Sequence, residues 1–140
     1  MLCDVVDKLD PFQFTYKAHR GVEDASITLF NLISQHVESA NAYIRILFVD
    51  FSSAFNTIEP YVLLKRLINM HVNTNIILWI SDFLRERPQR VCVNGHMSDE
   101  IIVNVGAPQG CVLSPTLFSI YTDHMRRNTA VTCLFKFAEI

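Results

Sequence analysis

Between residues 22 and 40 the apolar side chains fall at Ala25, Leu29, Leu32, Ile33 and Val37. They form one stripe of a 3.6-residue period, which predicts an amphipathic helix. The pattern then closes up. In 43–51 (YIRILFVDF) the run Ile46-Leu47-Phe48-Val49 is apolar and rich in strand formers, and it predicts a central strand covered on both sides. Helical spacing returns after Pro60, which suits a first helical position, with Leu63, Leu64, Leu67 and Ile68 as the buried stripe. A further helix is predicted after Asn73-Thr74, carrying Ile76, Ile77, Ile80, Phe83 and Leu84.

The period next falls from 3.6 to 2. Val91 and Val93 precede Asn94-Gly95, and Ile101, Val103 and Val105 alternate beyond it, which predicts a hairpin. Ser114-Pro115 offers an N-cap and a first-turn proline for a helix to about Arg127, and 131–138 reads as a last strand. The order of elements predicts an α+β fold, a small antiparallel sheet with helices packed on one face.

Composition changes this picture little. Half of the 140 residues are hydrophobic and 19% are charged, which excludes a disordered tail. A chain of this length buries roughly 68% of its unfolded surface, enough for a core. No apolar run approaches the roughly 20 residues of a membrane span, and the first twenty residues lack the layout of a signal peptide. Cys3, Cys92, Cys111 and Cys133 are scattered, with no C-x-x-C pair, so a zinc or redox motif is not expected and the thiols suit a reducing compartment. Twelve Lys plus Arg against 14 Asp plus Glu give a net charge of −2, which argues against a broadly basic nucleic-acid surface. Local basic clusters remain at Arg85, Arg87 and Arg90 (RERPQR) and at Arg126-Arg127. The first either meets backbone phosphates or is an ordinary solvated helix end.

Two segments carry candidate chemistry. Asp50 ends the apolar run, where a charge is costly to bury unless it is paired or bound to metal. It either caps the following turn or presents a carboxylate to a cleft. The segment GAPQGCVLSP, 106–115, packs glycines, prolines and a glutamine together. Gly106 and Gly110 permit backbone conformations closed to other residues, Pro108 stiffens the stretch, and Gln109 projects an amide from it. The five histidines show no metal-ligand spacing.

Taken together, FVDFSSAFNTI (48–58) and GAPQGCVLSPTLFSIYTD (106–123) resemble two central motifs of the reverse transcriptases of non-LTR (LINE-type) retrotransposons. LDPFQFTYKAHRGVEDA (9–25) resembles the fingers motif that precedes them. The resemblance spans nearly the whole chain. It implies partial fingers at 1–41 and a palm core at 42–140 with an inserted hairpin near 88–106, the thumb being absent. It also implies RNA-directed DNA polymerisation with an RNA template, a DNA primer, deoxynucleotides and Mg²⁺ or Mn²⁺, in the cytoplasm or nucleus. By resemblance, Asp50 is the catalytic metal ligand, assisted by the backbone carbonyl of Phe51. Two ions about 3.5–4 Å apart would activate the primer hydroxyl and stabilise the leaving pyrophosphate. Phe55 matches the bulky residue that crowds the sugar 2′ position; read alone, it is a core aromatic. Gln109 and Gly110 match the segment packing near the incoming nucleotide. Lys17 and Arg20 match basic residues that neutralise its triphosphate, or else form a solvated surface pair.

The pattern breaks at the end of the chain. The family places two adjacent aspartates after an aromatic-Ala pair, but here Phe137-Ala138 is followed by Glu139 and Ile140. Glu139 is a degenerate ligand. Its extra methylene shifts the carboxylate by roughly 1.5 Å, and about 1 Å of misplacement can cost on the order of 100-fold in rate. The expectation is a piece of a reverse transcriptase that has lost catalysis, with a non-catalytic nucleic-acid-binding module as the alternative.

Overall fold

The computed structural model describes residues 5, 6, 8–17, 19–39, 41–126 and 132–137. Four helices are described: α1 (Val22–Val37), α2 (Pro60–Asn69), α3 (Thr74–Leu84) and α4 (Leu113–Thr122). A 3-10 turn covers Ala54–Thr57. Strands β1 (Arg87–Gln89), β2 (Cys92–Val93), β3 (His96–Met97) and β4 (Ile101–Val103) lie between α3 and α4. The architecture is α+β. None of the described helices is long and apolar enough to cross a membrane.

Local chemistry sets the helix boundaries. At the start of α1 the Asp24 carboxylate accepts from the Gly21 N–H at 2.9 Å, and Glu23 and Asp24 complement the positive end of the helix dipole. Pro60 occupies the first position of α2, where its missing N–H costs nothing. That helix ends with His71 at φ 55°, while the Val72 N–H reaches back to the Leu67 carbonyl, a left-handed C-terminal motif. Asn73 caps α3 by accepting from the Asn75 N–H at 2.9 Å.

The core is built by α2, which packs against both α3 and α4, while α4 also meets the 54–57 turn. Ile58, Leu63, Leu67, Ile80, Leu84, Leu117 and Ile120 are fully buried there. The predicted stripes hold in register but are narrower than expected. Ile68 and Val37 are exposed, and on α1 only Ala25 is buried, with Leu29, Leu32 and Ile33 half-buried.

The hairpin forms as predicted. Arg87 pairs with Val103 and Gln89 with Ile101 at its base, and Cys92 with Met97 at its tip. Asn94 (φ 48°) and Gly95 (φ 80°) both occupy the left-handed region, as a type I′ turn demands. The register shifts by one between base and tip, so a bulge separates them. Ser98 stitches it, donating its N–H to Val91 O and accepting the Val91 N–H, each at 2.9 Å.

Three expectations are corrected. Residues 43–51 form no strand: Leu47 is 85% and Phe48 77% exposed. A strand needs a neighbour for its N–H and C=O groups, and none of the described residues pairs with this stretch. The expected strand at 131–138 is reduced to one parallel bridge, Gln13 with Lys136, in which Lys136 accepts from the Phe14 N–H and donates to Phe12 O; residues 131 and 138 lie outside the described residues. Finally, α4 starts at Leu113 and stops at Thr122, so Ser114 is not its N-cap. The sulfur of Cys111 accepts the Ser114 N–H at 3.3 Å, and the Ser114 hydroxyl donates to the Pro108 carbonyl at 2.5 Å in place of capping the helix. Arg127 lies outside the described residues.

Candidate active site

The two motifs at 48–58 and 106–123 meet in space. After Asp50 and Phe51 the chain reverses through Ser53, which holds φ 56° and ψ 45°, a left-handed conformation uncommon for a side chain with a Cβ. The 54–57 turn then lies against 106–107. Gly106 donates to the Ile58 carbonyl at 2.7 Å and Ala107 to the Phe55 carbonyl at 2.8 Å. A side chain at 106 would collide, since a Cβ there would sit 2.9 Å from both Asn56 Cα and Phe55 O. Gln109 extends the clasp, its Nε2 donating to Asn56 Oδ1 at 3.3 Å. Gly110 (φ +75°) faces open space.

Asp50 is exposed at the end of the extended segment. Its neighbour Phe51 sets its ring edge-on to Phe118 of α4, 5.7 Å between centroids. Phe55 is half-buried and meets the same ring at 5.7 Å. Phe51, Phe55 and Gln109 are thus joined through Phe118 and Asn56, with Asp50 and Gly110 next to them along the chain. Lys17 and Arg20 are not joined to it by any hydrogen bond or ion pair among the described residues. The Arg20 guanidinium instead donates to the Pro11 carbonyl at 2.6 Å and lies 5.3 Å from the centre of the Phe14 ring. Glu139 is outside the described residues, and no group of three or more His, Cys, Asp or Glu side chains among the described residues is placed to hold a metal ion.

Sequence reading missed the supports of this region. Arg87 belongs to the RERPQR cluster, yet its guanidinium faces inward. Nη2 donates to Val105 O at 2.6 Å and Gly106 O at 2.9 Å, and Nε to Leu84 O at 3.2 Å. It therefore closes the C-terminus of α3 and fixes the approach to Gly106. Arg90 pairs with Glu100 at 3.0 Å. Nothing in a cluster of three arginines distinguishes the inward one. Cys111 and Ser114 hold the loop to α4, their Sγ and Oγ 2.9 Å apart. Burial pushes the Cys111 thiol up, but the hydrogen bonds from Ser114 and neighbouring backbone outweigh it and leave the thiol below its ordinary value.

A second polar cluster ties 8–14 to the end of α4. The Asp10 N–H donates to Asp123 Oδ1 at 3.1 Å, Asp123 pairs with Arg126 at 2.6 Å, and Lys136 Nζ donates to Thr122 O at 3.2 Å. Burial holds the Lys136 ammonium below its ordinary 10.5, opposed by Asp10 and Asp123 and assisted by Arg126. Between the lowered folded value and 10.5 the unfolded chain binds the proton more readily, so this group makes stability rise with pH across that window. Lys136→Met is expected to flatten that rise, read from urea midpoints at about pH 8 and about pH 10. An unchanged slope would exclude Lys136 as its source.

Comparison with known proteins gives the same direction as the motifs. The sequence model of the family described as "Reverse transcriptase (RNA-dependent DNA polymerase)" matches residues 1–138. The chain is 30% identical over 130 residues to the RNA-directed DNA polymerase from mobile element jockey of Drosophila melanogaster. It is 28% identical over 131 residues to that of Drosophila funebris. The alignments cover 92% and 94% of this chain but only 14% of each relative. No solved structure matches. With three motifs in order, a family match across almost all of its length and a clasp that brings two of those motifs together, the chain belongs to the reverse transcriptase family.

Proposed function

We propose that this chain is a palm segment, 42–140, preceded by part of the fingers, 1–41, in which the nucleotide-facing clasp persists and polymerisation has been lost. The observation that carries this reading is that Phe137-Ala138 is followed by Glu139-Ile140, where the resemblance to the family implies paired aspartates. Asp50 and the Phe51 carbonyl supply hard oxygens that suit Mg²⁺. A two-ion site needs further carboxylates to hold both ions. Ile140 brings no side-chain ligand, and Glu139 brings its oxygens on too long an arm. The donor set fits a first ligand and not the pair, so no metal-dependent step is assigned to this chain.

The test is primer extension on an RNA template with Mg²⁺ or Mn²⁺, using folded protein and Asp50→Asn as control. Extension is expected to equal that of the control. Extension that the substitution abolishes would show a working metal site and overturn the proposed loss.

A non-catalytic binding role is the second reading, favoured by the clasp itself. Its contacts are main-chain hydrogen bonds and one amide pair, none of which requires a metal ion. In this reading Gln109, Gly110 and Phe55 face a nucleotide, and Lys17 and Arg20 of the fingers neutralise its triphosphate.

A further inference from the structure

We infer that Phe118 is a positioning residue that sets sugar selectivity by fixing the ring of Phe55. The inference rests on the reading of Phe55 as part of a nucleotide-facing surface. Phe118 sits midway along α4, the helix that carries fully buried Leu117 and Ile120 on either side of it. The ring therefore projects from a backbone that the core holds still. It meets two aromatic rings at once. Phe51 lies edge-on at 85° and Phe55 at 66°, both with centroids 5.7 Å away. These two residues flank the left-handed Ser53, so one ring braces both sides of the bend that follows Asp50.

The main chain of Phe55 is already fixed by the Ala107 N–H. What stays free is rotation of its side chain, and the Phe118 ring blocks one side of that rotation. A bulky group discriminates a 2′-hydroxyl only if it cannot swing away from it, because specificity depends on the clash with the rejected ligand. Removing the ring at 118 leaves Phe55 present but able to yield. Phe118 would touch no nucleotide itself.

The experiment is equilibrium dialysis of dATP and ATP, with Mg²⁺ present, against the wild-type chain, Phe118→Leu, Phe118→Tyr and Phe55→Ala. Wild type is expected to prefer dATP on the order of tenfold. Phe118→Leu and Phe55→Ala should both bring the ratio to within about twofold of unity, whereas Phe118→Tyr, which keeps the ring edge, should retain the preference. A merely structural role would lower both affinities together and leave the ratio unchanged. A preference retained in Phe118→Leu would overturn the inference and leave the nucleotide-facing surface standing. Wild type that fails to bind, or binds both equally, would remove that surface and the inference with it. Should the leucine variant not fold, Phe118→Met keeps the bulk on a flexible stem; a retained preference there is equally fatal to the inference.

Discussion

Replacing Gly106 with alanine is expected to lower folding stability by about 3 kcal/mol, from left-handed strain of about 1 kcal/mol and a local clash of about 2 kcal/mol. The residue holds φ +77°, and the added Cβ would lie 2.9 Å from Asn56 Cα and from Phe55 O. Both obstacles are backbone, so neither can rotate aside. Relief requires the 54–57 turn to retreat, which stretches the 2.7 Å bond from Gly106 to Ile58 and the 2.8 Å bond from Ala107 to Phe55. Gly110 provides the control. Its φ is +75°, but nothing lies within 4 Å of an added Cβ, so Gly110→Ala should cost only the strain, about 1 kcal/mol. Urea denaturation of the two variants separates clash from strain. Equal losses would mean that the clasp is looser than its distances state.

Leu67→Ala is expected to destabilise by about 4 kcal/mol, within the range of buried leucine truncations. Leu67 is fully buried in α2, the helix that packs on both α3 and α4. A cavity there is lined by elements whose ends are fixed by caps, by Arg87 and by the clasp, which limits collapse. Domains of this class have total stabilities of about 5–15 kcal/mol, so the loss is a large share of the whole. Ile68→Ala, one residue along and 58% exposed, should change stability by no more than about 0.5 kcal/mol. A comparable loss at both positions would contradict the observed facing of α2.

The helices and the hairpin were legible because their signals are local. Pro60, Asn73 and Asn94-Gly95 each act on backbone within a few residues, and each does what its chemistry predicts. The strand expected at 43–51 does not form, because an apolar β-branched run says nothing of whether a neighbouring strand is there to pair with its backbone. Ser114-Pro115 misleads for a different reason: the helix begins one residue earlier, at Leu113, and the Ser114 hydroxyl is taken up by the Pro108 carbonyl. Of the residues to which the motifs point, the fold brings Phe55 and Gln109 to one clasp through Asn56 and Ala107. Arg87 and Phe118 were invisible as supports, since their roles depend on carbonyls and rings that are neighbours only after folding.

The clasp also has a kinetic meaning. It joins Ile58 to Gly106 and Asn56 to Gln109, and everything between them, α2, α3 and the hairpin, must be gathered before those bonds can close. Contacts of that sequence separation form only after the entropy of a long loop has been given up. The short-range elements can assemble first and repeatedly. The surface that would face a nucleotide is then among the last parts of the molecule to become defined.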